Sequence, residues 1–235
     1  MIGRLKTVVL DAADLTGLAD FYVALAGWTR TDVEEDWITL GTPDGWRVAV
    51  QLAPDHVPPR WPDPAHPQQL HLDLRVADID AAAMRAEGLG ATRLGGGESW
   101  HTLMDPAGHP FDLCRGDEPT MSIYAVTIDC PDAKVLSHFY ADALGMEIRY
   151  EGDVGSLIGT GSKQVMFQNV APYTAPRWPD PAHPQQVHLD VQVDYREIAA
   201  LEEKVLALGA TRLPGEGENW RVYADPAGHP FCLTG

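Results

Sequence analysis

An α+β fold of four βαβββ units, arranged as two homologous halves, is predicted by three observations. They are a long internal repeat, helix-period stretches that each run up to a glycine, and strand-period stretches between them. The segment RWPDPAHPQQLHLDLRV at 60–76 recurs as RWPDPAHPQQVHLDVQV at 177–193, with 14 of 17 positions identical at an offset of 117. DPAGHPF at 105–111 returns at 225–231, an offset of 120, and the DxxxxxxLxxFY pattern ending at Phe21-Tyr22 returns at Phe139-Tyr140, an offset of 118. A weaker repeat aligns Thr7–Asp14 with His71–Asp78 at an offset of 64, so each half holds two related units. The joint falls in the polar stretch Gly116 to Thr120, which sets domains at 1–116 and 121–235.

The first helix, Asp14 to Ala26, opens on an acidic capping residue, places Leu15, Leu18, Phe21, Tyr22 and Leu25 on one face, and stops at Gly27. Matching helices are expected at Ile79–Glu87 before Gly88, Asp132–Leu144 before Gly145 and Arg196–Leu208 before Gly209. In HLDLRV the period changes to two, with Leu72, Leu74 and Val76 on one face and His71, Asp73 and Arg75 on the other, as in a half-buried strand. The same reading gives strands at Thr7–Ala12, Trp37–Gly41, Trp46–Leu52, Trp100–Met104 and Phe111–Cys114, with counterparts in the second half. Three prolines in ten residues make the repeated RWPDPAHPQQ a rigid loop that connects units, contacts the other half or gates a site.

Composition excludes several classes of function. Against 17 Lys+Arg stand 34 Asp+Glu, a net charge of −17 on 235 residues, which repels phosphate backbones and anionic lipid; no nucleic-acid or membrane partner is expected. The apolar runs are strand-sized, and the amino terminus reaches Asp11 before a signal-peptide core could form. Cys114, Cys130 and Cys232 form no CxxC pair and leave an odd thiol, which fits a reducing, cytoplasmic home.

Two βαβββ units per half, an HLD strand after a proline-rich connection and a closing DPAGHPF strand resemble the vicinal oxygen chelate superfamily, which includes glyoxalase I, bleomycin-resistance and extradiol dioxygenase proteins. The resemblance covers nearly the whole chain and implies two cupped half-barrel glyoxalase-like domains, one cup per half, with helices outside and a ligand or metal within. It also implies metal ligands on the first and last strands of each unit. Those positions fall on Thr7, Gln51, His71 and Asp112 in the first half, and on Ala125, Gln168, His188 and Cys232 in the second. Only His71, Asp112 and His188 are ordinary ligand types, with Cys232 a soft alternative.

Each candidate has a structural alternative. His71 and His188 can touch a ligand, bind metal or make a structural hydrogen bond. Asp73 and Asp190 lie two residues on, able to orient the histidine or a substrate. Asp112 is a ligand, a general base or an ion-pair partner of Arg47 or Arg75, while Cys232 is a ligand, a nucleophile or a buried inert thiol. Gln51 and Gln168 end pocket-facing strands as a matched pair. Trp37, Trp46, Trp100 and Trp220 open strands, where they stack on a flat ligand or simply pack. His109 and His229 are expected to shape the turn at Ala107-Gly108 and its repeat; His56, His66, His101, His138 and His183 read as structural or exposed.

The expected function is binding of an aromatic or cationic small molecule, metabolite or antibiotic, in a sheet-lined cup, with Gln51, His71, Asp73, Arg75, Trp100, Gln168, His188, Asp190 and Trp220 as contacts. No cofactor is expected, though a divalent metal (Fe, Mn, Ni or Zn) on His71, Asp112 and Gln51 would make the protein a lyase, isomerase or dioxygenase of the chelate type. A further alternative is a metal-free enzyme with His71 or Asp112 as general base. Pairing of chains into a homodimer is left open.

Overall fold

The computed structural model describes residues 1–63, 66–180 and 182–235; Pro64, Ala65 and Pro181 of the repeated loop lie outside the described residues. The first module is β1 (Arg4–Ala12), α1 (Leu15–Ala26), β2 (Thr29–Val33), β3 (Trp37–Gly41) and β4 (Arg47–Leu52). The second is β5 (Leu70–Val76), α2 (Ile79–Gly88), β6 (Thr92–Gly96), β7 (Trp100–Met104) and β8 (Pro110–Arg115). The third is β9 (Ser122–Cys130), α3 (Ala133–Leu144), β10 (Glu147–Glu151), β11 (Gly155–Thr160) and β12 (Lys163–Asn169). The fourth is β13 (Val187–Gln192), a 3₁₀ turn (Tyr195–Glu197), α4 (Ile198–Ala207), β14 (Thr211–Glu216), β15 (Trp220–Ala224) and β16 (Pro230–Thr234).

Capping sets the helix ends. Asp14, Asp78 and Asp132 accept hydrogen bonds from Gly17, Ala81 and Val135 backbone N–H groups, and Gly27 and Gly145 close α1 and α3 in the left-handed conformation. Two details differ from the expectation. Gly88 lies inside α2, and Gly90 supplies the positive φ beyond it; in the fourth module Asp194 caps a 3₁₀ turn, so α4 starts at Ile198.

The strands form two eight-stranded sheets that cross the halves. Sheet I runs β14-β15-β16-β13-β1-β4-β3-β2 and joins modules one and four; sheet II runs β10-β11-β12-β9-β5-β8-β7-β6 and joins modules two and three. One cup per half is therefore corrected: each cup takes one module from each half. Connection length gives the reason. Residues 116–121 between β8 and β9 are too few to leave a sheet, whereas 53–69 and 170–186 are long enough to carry the chain across. The seams are antiparallel, with Thr7 opposite Asp190 and Val9 opposite His188 in sheet I, and Ala125 opposite Asp73 and Thr127 opposite His71 in sheet II.

While the sheets join across the halves, each half is tied to itself by its helix and closing turn. From α1, Phe21 and Tyr22 meet Phe111 of β8 at ring distances of 6.1 and 6.4 Å; Phe139 and Tyr140 of α3 meet Phe231 of β16 at 6.0 and 6.3 Å. Asp105 accepts from the Ala107 and His109 N–H groups, pairs with His109 Nδ1 at 3.1 Å and accepts the Tyr22 hydroxyl at 3.0 Å. Asp225 repeats this with Ala227, His229 and the Tyr140 hydroxyl at 2.9 Å. The repeated FY and DPAGHPF motifs are thus two halves of one buried lock, and His109 and His229 shape the turn as expected. A hydrogen bond to a buried carboxylate contributes about 1.5–3 kcal/mol.

Candidate functional site

Cup I opens on sheet I. From β1 come Thr7 and Asp11, from β4 Gln51, from β13 His188 and Asp190, and from β16 Cys232, which lies beside Asp190 in the parallel register. All of these except Asp11, which lies beneath His188, floor a cavity of about 750 Å³, also lined by Lys6, Asp32, Glu34, Asp36, Trp37, Arg47, Trp178 and Trp220. That volume suits a drug-sized ligand. Trp220 folds onto Gly217, where a Cβ would collide with the indole, so the glycine sets the ring at the rim.

In cup I the imidazole is neutral at neutral pH. His188 Nε2 lies 3.8 Å from Asp190 Oδ1 and its Nδ1 4.0 Å from Asp11 Oδ1, and neither His188 Nδ1 nor Asp11 Oδ1 has a hydrogen-bond partner among the described residues. Burial pushes His188 down to about 4, Asp190 up to about 6 against the pull of Lys6, and Asp11 up to about 7 despite a hydrogen bond from Gln185; it also raises the Cys232 thiol.

Cup II is the sequence-equivalent site on sheet II, with the opposite electrostatics. His71 Nε2 is 3.6 Å from Asp73 Oδ1, Asp73 accepts the Thr127 hydroxyl at 2.5 Å, and Gln68 donates to Asp129 at 3.1 Å. Burial works against a charged His71, but the hydrogen bond and charge of Asp73, with Asp112 and Asp129, override it and hold the imidazole up at about 9. Burial also raises Asp112 and Asp129, with His71 pulling both back. Two substitutions produce the contrast. Cys232 stands where cup II has Asp112, and Val9 stands where Thr127 donates to the Asp73 carboxylate.

The metal set expected from the sequence is divided by the fold. His71 and Asp112 meet in cup II, but Gln51 belongs to cup I because β4 pairs with β1 in sheet I. Asp73 takes its place: donor atoms of His71, Asp73 and Asp112 lie within 4.8 Å of one another, and the Asp129 Oδ1 and His71 Nδ1 atoms are buried without partners among the described residues. One imidazole with surplus carboxylate suits a divalent cation. Cup I gathers His188, Asp190 and Cys232 as closely, with one carboxylate where cup II has two.

The remaining candidates disperse. Gln168 is an exposed residue on β12 of sheet II, and His188, Asp190 and Trp220 lie in cup I. Arg75 pairs with Glu118 at 3.4 Å and lies 3.9 Å over the Tyr124 ring, and Asp112 accepts from Thr102; neither arginine pairs with Asp112. Trp100 is 44% exposed at the start of β7, whereas Trp46 is core. His71 and Asp73 are 8% and 6% exposed, so β5 is buried on both faces rather than half-buried. In the repeated loop, Trp178 lines cup I, while His66, Pro67, His183 and Pro184 share a small cavity of about 60 Å³ between the two loop copies. The two loop copies thus meet each other, as the contact reading expects. Asp11 and Asp129 were not singled out by sequence; each opens the DxxxxxxLxxFY repeat, and that recurrence was the available signal.

Two sheets that curve without closing, each with a polar floor facing an open cup, define a paired-cup α+β protein. The family model described as glyoxalase-like domain matches residues 7–114 and again 125–234, so the chain belongs to that family. Among solved structures, glyoxalase I from Zea mays superposes with a TM-score of 0.69 at 20% identity, covering 98% of this chain and 92% of that one. A putative dioxygenase from Bacillus subtilis gives a TM-score of 0.64 at 10% identity, covering 98% and 84%. These likenesses establish the fold. No curated protein matches in sequence. Among the described residues, no helix is long and apolar enough to cross a membrane.

Proposed function

We propose that this protein binds a small aromatic molecule carrying a positive charge, and that cup I holds it without a metal. The observation that carries this reading is the 750 Å³ cavity, whose wall carries Trp37, Trp178 and Trp220 together with Asp32, Glu34 and Asp36. Indole faces and nearby carboxylates both favour a flat cation, each such contact contributing about 0.5–2 kcal/mol. The test is titration of tryptophan emission with N-methylquinolinium and with uncharged 1-methylnaphthalene. Saturable quenching is expected for both, with the cation roughly tenfold tighter, or 1.4 kcal/mol. Absence of saturable quenching by either probe would sink the reading.

A second reading concerns cup II, where His71, Asp73 and Asp112 would hold a divalent metal. The observation favouring it is the surplus of carboxylates around one buried imidazole. A bound metal would supply Lewis-acid polarisation of a substrate oxygen. In the metal-free cup, His71 is held protonated at neutral pH and would donate rather than accept a proton; Asp112 is then the better base of the two. Elemental analysis of protein purified without chelator or metal-affinity resin decides it: about one equivalent, lost in His71→Ala, supports the site, and none after incubation with Mn, Fe, Ni and Zn removes it.

A further inference from the structure

The wall of cup I carries charge of both signs, at opposite ends. On β4, Arg47 lies level with Gly41 and Gln51 with Trp37, so four residues, about 13 Å of strand, separate the ends. At the Gln51 end lie Trp37 and Asp36, whose carbonyl accepts from Leu52 N, and Glu34, whose N–H donates to the Trp37 carbonyl. At the Arg47 end lies Lys6. The β1 register shifts between Leu5 and Thr7, and this bulge lets Lys6 line the cavity together with Thr7. Lys6 Nζ donates to the Gly235 main-chain oxygen at 3.1 Å, and Arg47 forms no ion pair among the described residues.

The duplication supplies an internal control. The same register in sheet II puts Tyr150, Gly152 and Val154 at the positions of Asp32, Glu34 and Asp36, and Tyr124 and Gln164 at those of Lys6 and Arg47. The acidic end therefore has no counterpart at these positions of cup II, and the basic end is replaced by Arg75 of β5, which lies 3.9 Å over the Tyr124 ring and is paired with Glu118. Charge of both signs at fixed spacing is of no use to a ligand with one charge.

We infer that the ligand of cup I is a zwitterion, with its cationic aromatic part at the Trp37, Glu34 and Asp36 end and a carboxylate or phosphate about 13 Å away at Lys6 and Arg47. This rests on the proposed binding role of cup I and specifies the class of molecule bound there. The two basic groups are fork and point charges suited to an oxyanion. The acids and the indole at the far end repel that oxyanion and hold the cation, so the cavity fixes the direction of binding as well as its strength.

The test compares three probes by calorimetry on the full chain: N-methylquinolinium, an N-carboxyalkyl quinolinium with about 13 Å between its charges, and the methyl ester of the latter. The zwitterion is expected to bind about tenfold tighter than its ester, equivalent to 1.4 kcal/mol, with the ratio shrinking in 0.5 M salt (about a 4 Å screening length). In Lys6→Gln/Arg47→Gln the ratio of zwitterion to ester affinity is expected to fall to near one. Equal binding of zwitterion and ester by the unaltered protein would overturn this inference and leave the proposed cup I function standing. A ratio that survives the double substitution would also overturn it, by placing the oxyanion elsewhere. Failure of all three probes would remove both.

Discussion

Cups I and II hold a histidine and two aspartates at matching positions, yet the imidazole is neutral in one and charged in the other. His188 is pushed down to about 4 and His71 held up at about 9. The histidine itself does not decide this. What decides it is the hydrogen bond and the carboxylates that face the ring. Cup II has Asp112, and Thr127 donates to Asp73; cup I has Cys232 and Val9, so Asp190 loses a donor and burial raises it. A duplicated fold can thus hold one buried imidazole neutral and its counterpart charged by changing the groups around them.

The strongest way to break this comparison is at Asp11. Its folded value of about 7 exceeds the unfolded 3.8, so the neutral form is the one the fold favours. That contribution is complete below pH 3.8 and is lost as pH rises through about 7. Asp11→Asn should therefore match the parent near pH 4 and exceed it at pH 8 by on the order of 4 kcal/mol. Denaturant unfolding at both pH values checks the sign. The same change at Asp129 should gain less, because the His71 charge already offsets part of its burial.

Next in size is metal uptake. His71→Ala should weaken binding of zinc or nickel roughly 100-fold, about 2.7 kcal/mol, while His188→Ala shifts metal content less than twofold. Calorimetry and elemental analysis read both, and equal losses would erase the distinction between the cups. Smaller again is the aromatic wall. Trp37→Ala should cost about tenfold in N-methylquinolinium affinity, and Trp100→Ala in sheet II less than twofold. The smallest effect sharpens the electrostatic account. Cys232→Asp restores the cup II anion and should raise the His188 imidazole midpoint from about 4 by roughly one to two units, followed by NMR.

How much was legible beforehand differs by element. Capped helices and alternating inner strands were readable because their signals are local: Asp14 and Gly27 bound α1, and Trp37–Gly41 and Trp100–Met104 appear at the predicted residues. Residues Thr29–Val33 and Glu147–Glu151 are fully exposed edge strands with no buried face, so no alternation marks them, and they were implied only by the βαβββ unit. His71 and Asp112 could be grouped because β5 and β8 share a module, while Asp73 was read only as a neighbour able to orient His71. Gln51 was grouped wrongly with them because pairing between modules leaves no trace in the periodicity of any single strand.

The sequence by itself determined the duplication, the units and their order, the polar floor residues and the acidic surface, all consequences of local pattern and composition. Only the tertiary structure decided which module meets which. A short joint keeps β9 beside β5, and two long connections carry the chain from β4 to β5 and from β12 to β13 across the sheets, and that crossing decides which carboxylates each histidine faces. Charge state in a buried site depends on distances between chain segments far apart in sequence, and those distances exist only once the sheets have formed.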